Sequence, residues 1–153
     1  MPSLDDVYCK FGFASEAAQL LETELGNLLL MTGAVDAGLI ENPDPAKATE
    51  LLTFVNKQTL GQLLKSLNRS TDSIAQLESQ LTLALKERNR LSHSFYREHN
   101  FRRNSEDGRA LMMKDLEAIH GVVLTAYKAV VRLSGIDLDK ITSSALPTRH
   151  VPI

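Results

Sequence analysis

At 153 residues the chain has the length of one domain and is long enough to bury a core of its own. Hydrophobic residues make up 43% and charged residues 24%, with 5% aromatics and no Trp, so the interior has to be built mostly from Leu, Ala, Val and Ile, which suits packed helices better than a β-sandwich. The net charge of −2 excludes a bulk nucleic-acid binder of the high-pI type, the single Cys9 excludes an internal disulfide and a cysteine-based zinc site, and no apolar run approaches the roughly 18–20 residues of a membrane span. The opening residues Met1-Pro2-Ser3-Leu4-Asp5-Asp6 are acidic where a signal peptide would be basic. Together with the lone cysteine this predicts a cytoplasmic protein.

Residues 1–12 lack helical periodicity and are expected to form an irregular N-terminal arm. A first helix is expected from Phe13 to about Asp36, with Ser15 as N-cap, Glu16 in its first turn and Gly38 closing it. Leu20, Leu21, Leu25, Leu28, Leu29 and Val35 give it a broad apolar face. Gly26 and Gly33 inside the pattern cost about 1 kcal/mol each relative to Ala and point to close helix approaches. Asn42-Pro43-Asp44-Pro45 is a connection, with Asp44 placed to cap a second helix and Pro45 at its first position, where a missing N–H is harmless. That helix is expected to run to about Leu67 with Leu51, Leu52, Val55, Leu60, Leu63, Leu64 and Leu67 inward, and with a bend or a close contact at Thr59-Leu60-Gly61.

A third helix is expected from about Thr71, capped by Ser70 or Thr71, to Phe101. Its seam reads Ile74, Leu77, Leu81, Ala84, Leu91 and Phe95 in steps of three and four. A fourth begins at Ser105 with an acidic first turn, buries Leu111, Met112, Leu116, Ile119, Val122, Val123, Ala126, Val130 and Leu133, and stops at Ser134-Gly135. The Met112-Met113 pair reads as core rather than interface. The tail from Ile136 to Ile153, with Pro147 and Pro152, is expected to add a short turn and then either to be mobile or to dock on a neighbour. No strand alternation or internal repeat intervenes. The expected architecture is therefore all-α: an up-and-down four-helix bundle over residues 13–135, between an arm at 1–12 and a tail at 136–153.

The anomaly in this pattern lies at Glu87-Arg88-Asn89-Arg90-Leu91-Ser92-His93-Ser94-Phe95-Tyr96. The seam position between Ala84 and Leu91 is Arg88, a guanidinium where charges are rarely buried unless paired. Asn89 and His93, spaced i,i+4, share a neighbouring face with Ser92, Tyr96 and Asn100. Packing alone does not require such a polar group beside a seam. Around it, residues 86–109 carry Lys86, Arg88, Arg90, Arg97, Arg102, Arg103 and Arg109 against Glu87, Glu98, Glu106 and Asp107, a local charge of +3 in a chain that is otherwise −5. Such a patch can focus a phosphate backbone, or it can be an ordinary solvated helix face.

Arg88-Asn89-Arg90-Leu91-Ser92-His93 resembles the motif of the HEPN superfamily (higher eukaryotes and prokaryotes nucleotide-binding domains), in which an Arg and a polar residue are followed, after three residues, by a His. The placement of the motif late in the third long helix, before Phe95-Tyr96 and a fourth helix, adds to the likeness. So do Thr59-Leu60-Gly61-Gln62-Leu63 upstream and Glu106-Asp107-Gly108-Arg109 downstream; the resemblance spans roughly residues 13–135. It implies an all-α bundle and, as in many members, a metal-independent ribonuclease or toxin of toxin–antitoxin and abortive-infection systems, acting as a homodimer. RNA and an antitoxin or other protein are the partners it implies, with no cofactor and no metal. Arg88 and His93 would then be the catalytic pair. In some toxins of the family a Tyr stands two positions after the motif His and is nucleotidylated by a partner enzyme; here that position is Phe95 and the Tyr is Tyr96, which argues against that mode of control.

The chemistry of the residues is consistent with that role. Imidazole suits a general base for a 2′-hydroxyl proton, and a guanidinium fork matches phosphate oxygens. Asn89, Ser92, Tyr96 and Arg97 are candidates to orient His93 or bind substrate. On an ideal helix Arg88 and His93 point about 140° apart, so a symmetric dimer would assemble such a site more easily than one chain. The competing reading pairs Arg88 with Glu22 or Glu24 of the first helix, fixing register and nothing else. Three functions thus stay open: ribonuclease, non-catalytic helical interaction or regulatory module, and nucleotide binding without cleavage. No phosphate loop, dinucleotide-binding turn or Ser-His-Asp order is present, His120 and His150 are isolated in sequence, and neither His93 with Glu98 nor His99 with Arg103 makes a metal-ligand set.

Overall fold

The computed structural model describes residues 1–67, 77–141 and 149. The expected start of the third helix at Thr71, its cap at Ser70 or Thr71, the seam residue Ile74, His150 and most of the tail lie outside them. The described residues are all-α, without a strand. The helices are α1 (Leu4–Asp36), α2 (Pro45–Asn56), α3 (Leu60–Leu67), α4 (Glu78–His93), α5 (Phe95–His99) and α6 (Glu106–Leu133), with 3-10 turns at Asn100–Asn104 and Leu138–Lys140. None is long and apolar enough to cross a membrane.

Helix α1 starts nine residues before the expected Phe13, so most of the expected arm is helix. Its N-cap is Ser3, in a reciprocal capping box. The Ser3 hydroxyl accepts from the Asp6 N–H at 3.1 Å and the Asp6 carboxylate accepts from the Ser3 N–H at 2.7 Å. Val7, fully buried, and Phe11, partly buried, extend the apolar stripe into this segment, and Ser15 sits inside the helix. Ala37 is the C-cap, and Gly38 follows at φ 66°, the left-handed residue that ends the helix.

Asp44 and Pro45 cap and start α2 as expected. The long second helix does not materialise, because Thr59 and Gln62 form a second capping box that starts α3 afresh. The Thr59 N–H donates to Gln62 Oε1 at 2.8 Å, and the Gln62 N–H donates to the Thr59 hydroxyl at 3.4 Å. The glycines of α1 do mark a close approach: a Cβ on Gly26 would lie 3.3 Å from Val55, and one on Gly33 would lie 2.9 Å from Leu51. These pairings fall in opposite order along the two helices, so α1 and α2 are antiparallel.

The third expected helix is also broken. Helix α4 ends at His93 with Ser94 as its C-cap, α5 lasts five residues, and Asn100 reverses the chain at φ 45°. Ser105 caps α6 through the Gly108 N–H, as expected. Gly108 is required by packing, since a Cβ there would meet the Arg102 carbonyl.

The core lies between α1, α4 and α6, with α2 and α3 covering α1. Leu21, Leu25, Leu81, Ala84, Leu91, Phe95, Met112, Leu116, Ile119, Val123, Ala126 and Val130 are buried in it, while Leu20, Val35, Leu52, Leu111 and Leu133, all expected inward, are exposed. The Arg109 guanidinium donates to the Pro2 carbonyl, Lys10 meets His120, and Ser134 donates to Glu24. Each contact joins residues about 110 apart in sequence, so α1 and α6 run side by side in the same direction. Arg88 meets Glu22 while Phe95 meets Phe11, so α4 and α5 run against α1. A simple up-and-down order of four helices would place the first and last antiparallel.

Candidate functional site

Arg88 and Ser92, one turn apart on α4, line a cleft of about 380 Å³ against Phe11, Ser15, Gln19 and Glu22 of α1, floored by Ala18 and Leu91. Leu91 is buried on the seam and holds this turn of α4 against α1. Arg88 leaves the seam by reaching sideways. Its Nη2 lies 2.6 Å from Glu22 Oε1, with side chains 25% and 29% exposed, and its Nη1 donates to Asn89 Oδ1 at 3.0 Å. Glu22 Oε1 is itself buried and has no aligned hydrogen bond, so the contact is coulombic rather than a directed fork. Of the two partners weighed for Arg88, Glu22 is the one it meets; Glu24 accepts from Asn27 and Ser134.

His93 ends α4 on the exposed side of the helix, and its ring has no hydrogen-bond partner among the described residues. Asn89, its i,i+4 neighbour, is turned to Arg88 instead. Ser94 ends the helix between His93 and Tyr96. Tyr96 packs against α1, with its ring 5.1 Å from Phe11 and 6.4 Å from Tyr8. Arg97 is exposed and donates to the Ser94 hydroxyl at 3.3 Å. The structure thus brings Arg88, Asn89 and Ser92 together at the cleft and leaves His93, Tyr96 and Arg97 around the α4–α5 break.

The strongest polar constellation is one that the sequence did not single out. Arg90 forks onto Asp115 of α6, Nη1 to Oδ2 at 2.8 Å and Nη2 to Oδ1 at 2.6 Å, and also meets Glu87 at 2.9 Å and Glu98 at 3.1 Å. His99, 4% exposed, lies with Nε2 2.7 Å from Asp115 Oδ2 and Nδ1 3.2 Å from Arg102 Nη1. A guanidinium can only donate, so Nδ1 is the acceptor and Nε2–H donates to Asp115, which assigns a neutral ring in one tautomer. The Arg90 fork, ahead of the His99 bond, holds the Asp115 carboxyl below its ordinary value. This network ties α4, α5 and the 3-10 turn to α6, and its geometry is that of a structural clamp. The available signal was weak: Arg90, Glu87 and Glu98 lie at helical spacings, but nothing in the pattern announces Asp115.

His120, isolated in sequence, has a partner in space: its Nδ1 accepts from Lys10 Nζ at 3.2 Å, and burial, followed by the Lys10 charge, pushes its pKa down. Among the described residues no group of three or more His, Cys, Asp or Glu side chains is placed to hold a metal ion. Chemically, the α1–α4 cleft offers a guanidinium paired with the Glu22 carboxylate, two serine hydroxyls and the Gln19 amide, and an imidazole without a hydrogen-bond partner among the described residues lies on the adjoining face. No protein-family model matches the chain, and neither does any curated protein or solved structure.

Proposed function

We propose that this chain is a metal-independent endoribonuclease of HEPN-like type that acts as a homodimer. The HEPN-like bundle would have α2 and α3 together in place of a second long helix. His93 takes the 2′-hydroxyl proton, Arg88 holds the phosphate as charge builds, and the internal attack leaves a 2′,3′-cyclic phosphate and a 5′-hydroxyl. The observation that carries this reading is the contrast among the histidines. His99 and His120 each have a partner on another helix, whereas His93, next to Ser92 and five residues after Arg88, is exposed and has no hydrogen-bond partner among the described residues. Within one chain Arg88 is turned to Glu22, so the reading needs a second copy to bring an α4 face opposite His93. The Glu22 contact, lacking hydrogen-bond alignment, is one that a phosphate can replace.

The test is cleavage of a mixed single-stranded RNA pool by purified protein in EDTA, with end-group analysis of the products. The expected result is cyclic phosphate and 5′-hydroxyl termini at an undiminished rate. A pool left intact both with EDTA and with divalent metals removes the reading.

The same ion pair favours a second reading, a helical interaction module in which Arg88 only sets α4 on α1. Arg88→Ala separates the two. A structural pair as partly exposed as this one should cost about 1–3 kcal/mol on removal, short of the value for a fully buried pair. If Arg88 is also catalytic, the same variant loses cleavage as well, whereas under the module reading there is no cleavage to lose.

A further inference from the structure

Where α5 meets the first turns of α1, two tyrosines keep part of their rings in solvent. Tyr8 is 44% and Tyr96 39% exposed, their centroids are 6.4 Å apart, and neither hydroxyl has a hydrogen-bond partner among the described residues. Tyrosines used for packing usually bury the ring and bond the hydroxyl. Tyr96 is nevertheless packed on two other rings. Phe11 lies 5.1 Å from Tyr96, and Phe95, almost fully buried, meets it edge-on at 5.2 Å. Of the acids close in sequence, Glu98 is paired with Arg90, Asp6 accepts from Ser3, and Asp5 is exposed. Phe11 also forms one end of the cleft that Arg88 and Ser92 line, so the ring cluster and the candidate site are continuous. The cleft volume of about 380 Å³ falls within the range of small-ligand pockets.

We propose that the Tyr96 ring, backed by Phe11 and Phe95 and flanked by Tyr8 at an interplanar angle of 59°, forms a stacking platform for an unpaired RNA base whose phosphates run along the cleft toward Arg88. Helix α1 then supplies part of the substrate site. The choice of RNA as occupant rests on the ribonuclease reading, and the platform deepens that reading by naming what binds and where. Every base offers a π-face, so the platform accepts any sequence, but bases inside a duplex are already stacked and do not reach it.

The experiment measures fluorescence anisotropy of a labelled single-stranded mixed-sequence RNA on a His93→Ala background, where cleavage does not interfere. Tyr8→Leu and Tyr96→Leu should each weaken binding by about ten-fold or more, Tyr8→Phe and Tyr96→Phe should retain it, and an abasic strand of equal length should bind the parent about as poorly as intact RNA binds the Leu variants. Tyr8→Leu, at the more exposed ring, keeps the test valid if Tyr96→Leu folds poorly. RNA binding that neither Leu variant changes, or no binding by the parent, overturns the platform. So does a loss of dimer mass in light scattering for the Leu variants with RNA binding intact, which would assign the rings to a second copy of the chain. If the protein with His93 intact leaves RNA uncut while binding depends on both rings, the cleavage reading fails and the platform stands.

Discussion

His93→Ala should lower the rate of RNA cleavage by about 10²–10⁴-fold, the usual loss on removing a general base. Its stability to urea should stay within about 0.5 kcal/mol of the parent, because an exposed ring with no hydrogen-bond partner among the described residues contributes little to the fold. This combination is diagnostic. Histidines that hold structure lose stability when truncated, and His99, between Asp115 and Arg102, is the internal contrast. A His93→Ala protein that cuts as fast as the parent removes His93 from the mechanism.

The largest loss of stability is expected for Asp115→Ala, at about 2–4 kcal/mol at neutral pH. One carboxylate accepts the Arg90 fork and the His99 N–H at once, so its removal leaves a buried imidazole N–H without an acceptor and strips Arg90 of its best partner. The figure sits below that for a fully buried pair because Asp115 and Arg90 keep some solvent contact and Arg90 retains Glu87 and Glu98. The effect should depend on pH in a defined direction. Asp115 is held below the ordinary carboxylate value of about 4, so its contribution is present above that value and fades as pH falls through the lower folded-state pKa. Urea unfolding of parent and variant should therefore differ most near pH 7 and converge toward pH 3. An equal gap at both pH values would mean that the loss comes from packing rather than charge.

Much of the bundle was readable from local chemistry. Asp44 with Pro45, Ser105 at the start of α6, and the glycines at Gly26 and Gly33 each act through their own backbone, so their roles follow from type and position. The helix breaks were harder. Ser3 with Asp6 and Thr59 with Gln62 are both capping boxes that periodicity alone passed over; the first has Asp where Glu or Gln is usual, and the second lies inside an unbroken run of inward leucines. The break at Ser94 is invisible to pattern, because Leu91 and Phe95 keep their helical spacing across it and both stay buried. At the site, Arg88 as a charge on the seam was legible, and so was a partner for it on α1, either Glu22 or Glu24, of which the structure shows Glu22. The Arg90–Asp115–His99 clamp was not, since its members lie up to 25 residues apart and meet only because the chain reverses at Asn100.

The parallel run of α1 beside α6 also bears on how the chain is made. Neighbours such as Lys10 and His120 are separated by 110 residues, so the interface that buries the first helix cannot form until nearly all of the chain exists. At about 5–20 residues per second of synthesis, α1 leaves the ribosome roughly 5–20 seconds before its main partner. During that interval Leu21, Leu25 and Val7 have only α2 and α3, and later α4, to shelter them. Closing so long a loop also places the rate-limiting step of folding late, because the entropy of bringing the ends together is lost before the contacts that reward it are made. The nascent N-terminal helix is therefore the segment most exposed to chaperones and to association with other unfinished chains.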